Sequence, residues 1–162
     1  MSVDQVFLVD ADATAALGAR LAQVFAPETG GVVFLEGELG AGKTSLARGC
    51  LRALGVEGPI RSPTYTLLEP YEVGGRRLLH MDLYRVTEAA ELLQLGLEDA
   101  PVAETLWLVE WPQRGAGYLP LPDLHVALVP QESNRMARLA WRENAIGARL
   151  RERYRALSPA SS

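Results

Sequence analysis

Apolar and polar positions alternate between two periods along the chain. Gln5 to Val9 carries the short period of a strand. Asp10 or Asp12 then caps a helix predicted to run to Phe25, with Ala16, Leu17, Ala19, Leu21, Val24 and Phe25 as its apolar positions. Pro27 to Gly31 reads as a loop, and Val32 to Leu35 as a buried parallel strand. A glycine-rich turn leads into a helix over Lys43–Leu54 that stops at Gly55. Thr64–Val73 and Arg76–Tyr84 flank Gly74-Gly75 as a β-hairpin. Thr87 is expected to cap a helix reaching Leu95 before Gly96.

Leu106–Val109 is a second buried-strand run, closed by Glu110. Residues 111–123 hold three prolines and two glycines and read as loop. Leu124–Val129 and Met136–Trp141 are predicted strands, and Glu143–Leu157 a terminal helix. Strands alternating with helices predict an α/β fold: a three-layer P-loop domain with a mostly parallel, mixed central sheet. At 162 residues the chain is expected to form a single domain over 1–157, with 158–162 as a frayed tail.

Composition narrows the classes. The single cysteine, Cys50, excludes a disulfide framework and a multi-cysteine zinc site. With no leader or long apolar run in view, a reducing cytoplasm is expected and a membrane is not. Net charge is −4, so the whole chain is not a polybasic nucleic-acid binder. Residues 135–162 nevertheless carry +5 against −9 for the remainder. That basic helix reads either as a solvated face or as a docking surface for RNA or an acidic partner. Of 16 basic residues, 15 are arginine and one, Lys43, is lysine.

That lysine falls in Gly37-Glu38-Leu39-Gly40-Ala41-Gly42-Lys43-Thr44, which fits G-x-x-x-x-G-K-[ST] at every fixed position. Glycines at 40 and 42 let successive N–H groups turn inward around a β-phosphate, and the following helix aims its positive dipole end at the same anion. Gly37, Leu39, Gly40, Ala41, Gly42, Lys43, Thr44 and Ser45 are thus candidate nucleotide-binding residues. Lys43 would reach the β- and γ-phosphates, Thr44 would offer its hydroxyl to Mg²⁺, and Ser45 would donate to the α-phosphate. Two carboxylates close apolar runs, Asp82 and Glu110, and either can hold the metal while the other orients water. His80 can serve as a base, but a buried structural role is the stronger reading, as it is for His125 and Cys50. Trp111 stacks on a base or partner, or plugs its loop. Arg61, Arg85, Arg114 and Arg135 are candidate phosphate or purine contacts. No Asn-Lys-x-Asp guanine motif can exist where the only lysine is Lys43, which favours ATP.

Four ordered blocks, GELGAGKTSLARG (37–49), SPTYTLLEPY (62–71), HMDLYR (80–85) and LVEWPQRGAGYLP (108–120), resemble the TsaE (YjeE) family of small bacterial ATPases in tRNA threonylcarbamoyladenosine biosynthesis. The resemblance covers about residues 10 to 140. It implies binding of ATP or ADP with Mg²⁺, slow hydrolysis, and partnership with TsaB and TsaD, which act on tRNA. It further implies Thr44 and Glu110 as Mg²⁺ ligands, Asp82 as the group that positions water, and Ser62–Thr66 as a switch-like loop near the γ-phosphate. Trp111 would lie beside the metal carboxylate, and Thr14 and Arg135 would contact the base. Two rival readings share the turn: a small-molecule kinase, and an ATP-dependent assembly module whose hydrolysis is incidental. Alanine at Lys43 or Thr44 is expected to abolish measurable ATP hydrolysis; full activity in Lys43→Ala would overturn the assignment.

Overall fold

The structure is a computed structural model that describes residues 2–25 and 30–157. Part of the loop expected over Pro27–Gly31 and all of the tail expected over 158–162 lie outside the described residues. Seven strands form one sheet: β1 (Ser2–Leu8), β2 (Gly31–Glu36), β3 (Leu68–Val73), β4 (Arg76–Asp82), β5 (Thr105–Glu110), β6 (Leu124–Gln131) and β7 (Asn134–Trp141). Their spatial order is β1-β7-β6-β2-β5-β4-β3. The central neighbours β6, β2, β5 and β4 run parallel, while β1, β7 and β3 add antiparallel margins. The sheet is therefore mixed with a parallel centre.

The period-2 alternation of the strands sorts the core. Val33 and Leu35 of β2, Leu78 of β4, and Leu106 and Leu108 of β5 enter one core with helices α1 (Ala11–Ala22), α2 (Lys43–Ala53) and α3 (Ala145–Ala156). Val32, Leu79, Met81, Trp107 and Val109 point the other way, beneath Leu92. No α-helix covers that second face among the described residues; short 3₁₀ segments over Ala89–Gln94, Leu97–Asp99 and Pro112–Gly115 do. Helices α1 and α2 touch backbone to backbone. A methyl group at Gly18 would overlap the Leu46 carbonyl oxygen, and one at Gly49 would overlap that of Ala15.

Several boundaries differ from expectation for local reasons. Helix α1 ends at Ala22 rather than Phe25, because the N–H groups of Gln23 and Val24 donate three residues back, to Arg20 and Leu21. Strand β3 begins at Leu68 rather than Thr64. The Leu67 N–H donates to the Pro63 carbonyl at 2.8 Å, closing a turn that holds Leu67 at φ 68°. Strand β4 stops at Asp82 rather than Tyr84, since the Asp82 carboxylate accepts the Tyr84 N–H at 3.0 Å. The helix expected from Thr87 is a 3₁₀ segment, and Thr87 does not cap it; its N–H and hydroxyl both donate to Glu91. Only Leu92 of that segment is buried, so no apolar stripe holds an α-helix there. Helix α3 starts at Ala145, not Glu143, because Asn144 accepts the Gly147 N–H.

Three arginines of the basic helix bond to other parts of the fold, although Arg153 and Arg155 stay exposed. Arg151 and Arg155 of α3 donate to Asp4 on edge strand β1, and Arg153 donates to the Val24 carbonyl. Asp4 also accepts the Trp141 indole N–H at 2.9 Å. Burial pushes the Asp4 carboxyl up, but the bonds from Arg151, Arg155 and Trp141 outweigh it and hold the group at about 2. Because its folded value is depressed from 3.8, its stabilisation is present above pH 3.8 and lost as pH falls through about 2. Asp4→Asn is expected to cost about 1–2 kcal/mol at pH 7 in urea denaturation. The difference from the unsubstituted protein should shrink towards zero as the pH approaches 2.

Candidate functional site

The C-terminal ends of the parallel strands are where a crevice can open in such a sheet. The turn after β2 sits there, and its backbone is unusual. Gly40 and Gly42 have φ of 77° and 108°, values that L side chains seldom adopt. A Cβ on Gly42 would also press to 3.1 Å from an Arg135 guanidinium nitrogen and 3.2 Å from the Thr14 methyl. Helix α2 then begins with no side-chain cap, whereas Asp10 caps α1 and Asn144 caps α3. Among the described residues no carbonyl accepts the N–H groups of Lys43, Thr44 or Ser45. Uncapped donors at the positive end of a helix form a seat for an anion.

Around this seat lies a cleft of about 350 Å³. Leu39, Gly40, Gly42, Lys43, Thr44 and Ser45 line it from the turn and α2; Asp82, Glu110 and Arg135 come from β4, β5 and β7. Lys43 is 4% exposed, and its ammonium donates to the carbonyls of Gly37 at 2.5 Å and Glu38 at 2.8 Å. It also lies 4.6 Å above the centre of the Trp111 ring. Burial lowers its pKa, while the carboxylates of Glu110, Asp82 and Glu38 oppose that shift. The Thr44 hydroxyl donates to Glu110 Oε1 at 2.9 Å. Asp82 is the register partner of Glu110 on the adjacent strand. Burial raises the Asp82 pKa, as does the Glu110 charge, against the bonds from Tyr84 and Thr64. Thr64 donates to Asp82 at 3.3 Å and shares a 2.7 Å hydroxyl contact with Ser62.

The remaining expected residues fall in different places. Gly37 contributes its carbonyl to Lys43, and Ala41 is buried beneath the turn. Arg135 donates to the Gly40 carbonyl at 3.1 Å and stands between the cleft and a second hollow of about 300 Å³. Thr14 does not reach the cleft: it is fully buried, and its hydroxyl donates to the Asp10 carbonyl. Arg85 lies over the Tyr65 ring, and Arg114 over Trp111 and Tyr84. Burial pushes the Cys50 thiol up to about 12, so it is no nucleophile. His125 sits 2.8 Å from Glu36, away from the cleft. Ala11 and Tyr84 line the cleft without having been singled out in the sequence. Ala11 carries no chemical signal, but Tyr84 lies within the HMDLYR block.

The donor set fits a small hard cation. A hydroxyl and a carboxylate, both oxygen, meet at the edge of an anion seat, as Mg²⁺ beside phosphates requires. No group of three or more His, Cys, Asp or Glu residues suited to a metal occurs among the described residues. Gly42→Ala is expected to lose about 1–3 kcal/mol in urea denaturation, and more than Gly40→Ala. Both incur the backbone penalty, but a Cβ at 40 meets no atom within 4 Å.

Known proteins share this framework. A family model described as "Threonylcarbamoyl adenosine biosynthesis protein TsaE" matches residues 8–139. The tRNA threonylcarbamoyladenosine biosynthesis protein TsaE of a Nostoc species is 37% identical over 147 residues, 86% of this chain and 88% of that one. The Haemophilus influenzae protein of the same name is 44% identical over 95 residues, 59% of this chain and 60% of its own length. The crystal structure of Bacillus subtilis YdiB superposes with a TM-score of 0.76 at 28% identity, covering 95% of both chains. The matched span begins in β1 and ends in β7, and so holds every residue that lines the cleft. The chain belongs to the TsaE family of threonylcarbamoyl adenosine biosynthesis proteins.

Proposed function

We propose that this protein is a cytoplasmic, Mg²⁺-dependent P-loop ATPase that supports N6-threonylcarbamoyladenosine formation in tRNA together with TsaB and TsaD. The observation that carries the ATPase reading is the convergence of three features on one cleft. These are the uncapped start of α2, the buried Lys43, and the Thr44–Glu110 pair. The tRNA role rests on the family and on the names of its relatives.

In this reading the free N–H groups at the start of α2 hold the β-phosphate of ATP or ADP. The Lys43 ammonium has three donors; two are used on Gly37 and Glu38, and the third serves a β- or γ-phosphate oxygen. The nucleoside end extends past Arg135 into the second hollow, bounded by Val9, Leu39 and Pro130. Mg²⁺, held by Thr44 and Glu110, would neutralise charge developing on the β- and γ-oxygens. Asp82 faces the same cleft from β4 and accepts a hydrogen bond from the attacking water. Its raised pKa makes it a better acceptor than an ordinary surface carboxylate. The water oxygen attacks the γ-phosphorus, the bond to the bridging oxygen breaks with its electron pair left on ADP, and the water's protons depart with the released phosphate. Lys43 and the amides stabilise that charge, with no reorganisation of water needed.

Hydrolysis measured alone and with TsaB, TsaD and tRNA tests both halves of the proposal. The rate should rise with the full set, and a metabolite that raised it without the partners would favour a kinase instead. Glu110→Ala is expected to raise the Mg²⁺ concentration needed for half-maximal hydrolysis by about tenfold or more. An unchanged Mg²⁺ dependence would remove Glu110 from the metal site.

A further inference from the structure

Histidine 80 is the one fully buried ionisable side chain of β4, at 0% exposure. Its neighbours on the strand, Leu78, Leu79 and Met81, are all apolar core. A polar ring in such a place is costly unless it has a partner. It has one: Nε2 lies 2.6 Å from Glu110 Oε2. The other ring nitrogen, Nδ1, is buried with no partner among the described residues. The imidazole is therefore the inner end of a short chain that runs through Glu110 to Thr44.

Parallel register explains the meeting. His80 stands opposite Leu108, and Asp82 opposite Glu110. Residues two apart share a face, so His80, Asp82, Leu108 and Glu110 all point towards α2. From there His80 reaches diagonally, one pleat forward, to Glu110. The two carboxylate oxygens are thereby divided. Oε2 faces the imidazole in the core, while Oε1 accepts the Thr44 hydroxyl at the cleft.

We propose that His80 is a positioning residue for Glu110, fixing the carboxylate so that Oε1 alone is presented beside Thr44 as an oxygen ligand for Mg²⁺. Nε2 carries the hydrogen, because an ionised carboxylate oxygen only accepts. Without that bond the Glu110 carboxylate can turn about its terminal torsion, which has broad wells. It would then carry an unpaired buried oxygen, and the ligand pair, preformed when His80 is present, would have to be assembled on binding. This inference rests on the nucleotide-binding reading above and adds to it a residue that never touches substrate or metal.

Calorimetric titration with ADP, in EDTA and in Mg²⁺, tests it without turnover. His80→Leu should bind ADP in EDTA within about twofold of the unsubstituted protein, since the turn is untouched. It should lose about 10- to 100-fold of the extra affinity that Mg²⁺ confers. His80→Gln, whose amide nitrogen reaches as far as Nε2, should restore most of that gain, and the shorter His80→Asn should not. The Gln and Asn pair decides the matter even if His80→Leu does not fold. An equal Mg²⁺-dependent gain in Asn and Gln, or an undiminished gain in Leu, overturns the inference while leaving nucleotide binding intact. An unsubstituted protein that binds ADP in neither condition overturns the nucleotide-binding reading itself, and this inference with it.

Discussion

The hydrogen bond from the Thr44 hydroxyl to Glu110, 2.9 Å long, ties the first turn of α2 to the end of β5. It joins two segments that are 66 residues apart in sequence. The anion seat comes from one of them and the metal-suited carboxylate from the other, so neither is a site without the bond. The bond in turn depends on β5 lying beside β2 and on register placing Glu110 opposite Leu35. It also depends on α2 lying flat against the sheet, with Leu46, Ala47, Cys50 and Leu51 in the core.

Charge is concentrated here against the usual preference of a protein interior. Lys43, Asp82, Glu110 and His80 are all buried in a chain whose other charged residues are mostly at the surface. Burial disfavours the ionised forms, and the departures of Lys43 and Asp82 run in the directions burial dictates. Mutual attraction between the ammonium and the carboxylates offsets part of that cost. Such an arrangement persists where it serves chemistry, because apolar residues of the same volume would stabilise the fold as well or better.

The opposite end of the electrostatic layout is structural. The arginine-rich α3 reads in the sequence as a solvated face or as a docking surface for RNA or an acidic partner. In the fold, Arg151 and Arg155 close on Asp4 and Arg153 closes on a backbone carbonyl. Arg20 lies over the Tyr154 ring at 4.2 Å and donates to the Leu157 carbonyl. These contacts fasten the terminal helix to the edge strand β1. A helical net gives the spacing of such arginines but not the location of Asp4, which is some 150 residues away along the chain.

What the sequence alone determined is what depends on contiguous residues. The glycine-rich turn was legible because eight adjacent residues carry it, and the buried strands because apolar runs mark them. Asp82 and Glu110 were visible as strand-end carboxylates, and the family resemblance followed from ordered local blocks. Helix ends at Phe25 and Glu143 and a helix at Thr87 were misplaced, because short turns and caps compete on differences of about 1 kcal/mol. Only the tertiary structure decided that His80 serves Glu110, that Thr14 is sealed beneath Gly42, and that Arg135 reaches back to Gly40. Each of these is a meeting of groups from separate parts of the chain. Strand order and register set such meetings, and spacing along the chain carries no record of which strands will lie side by side.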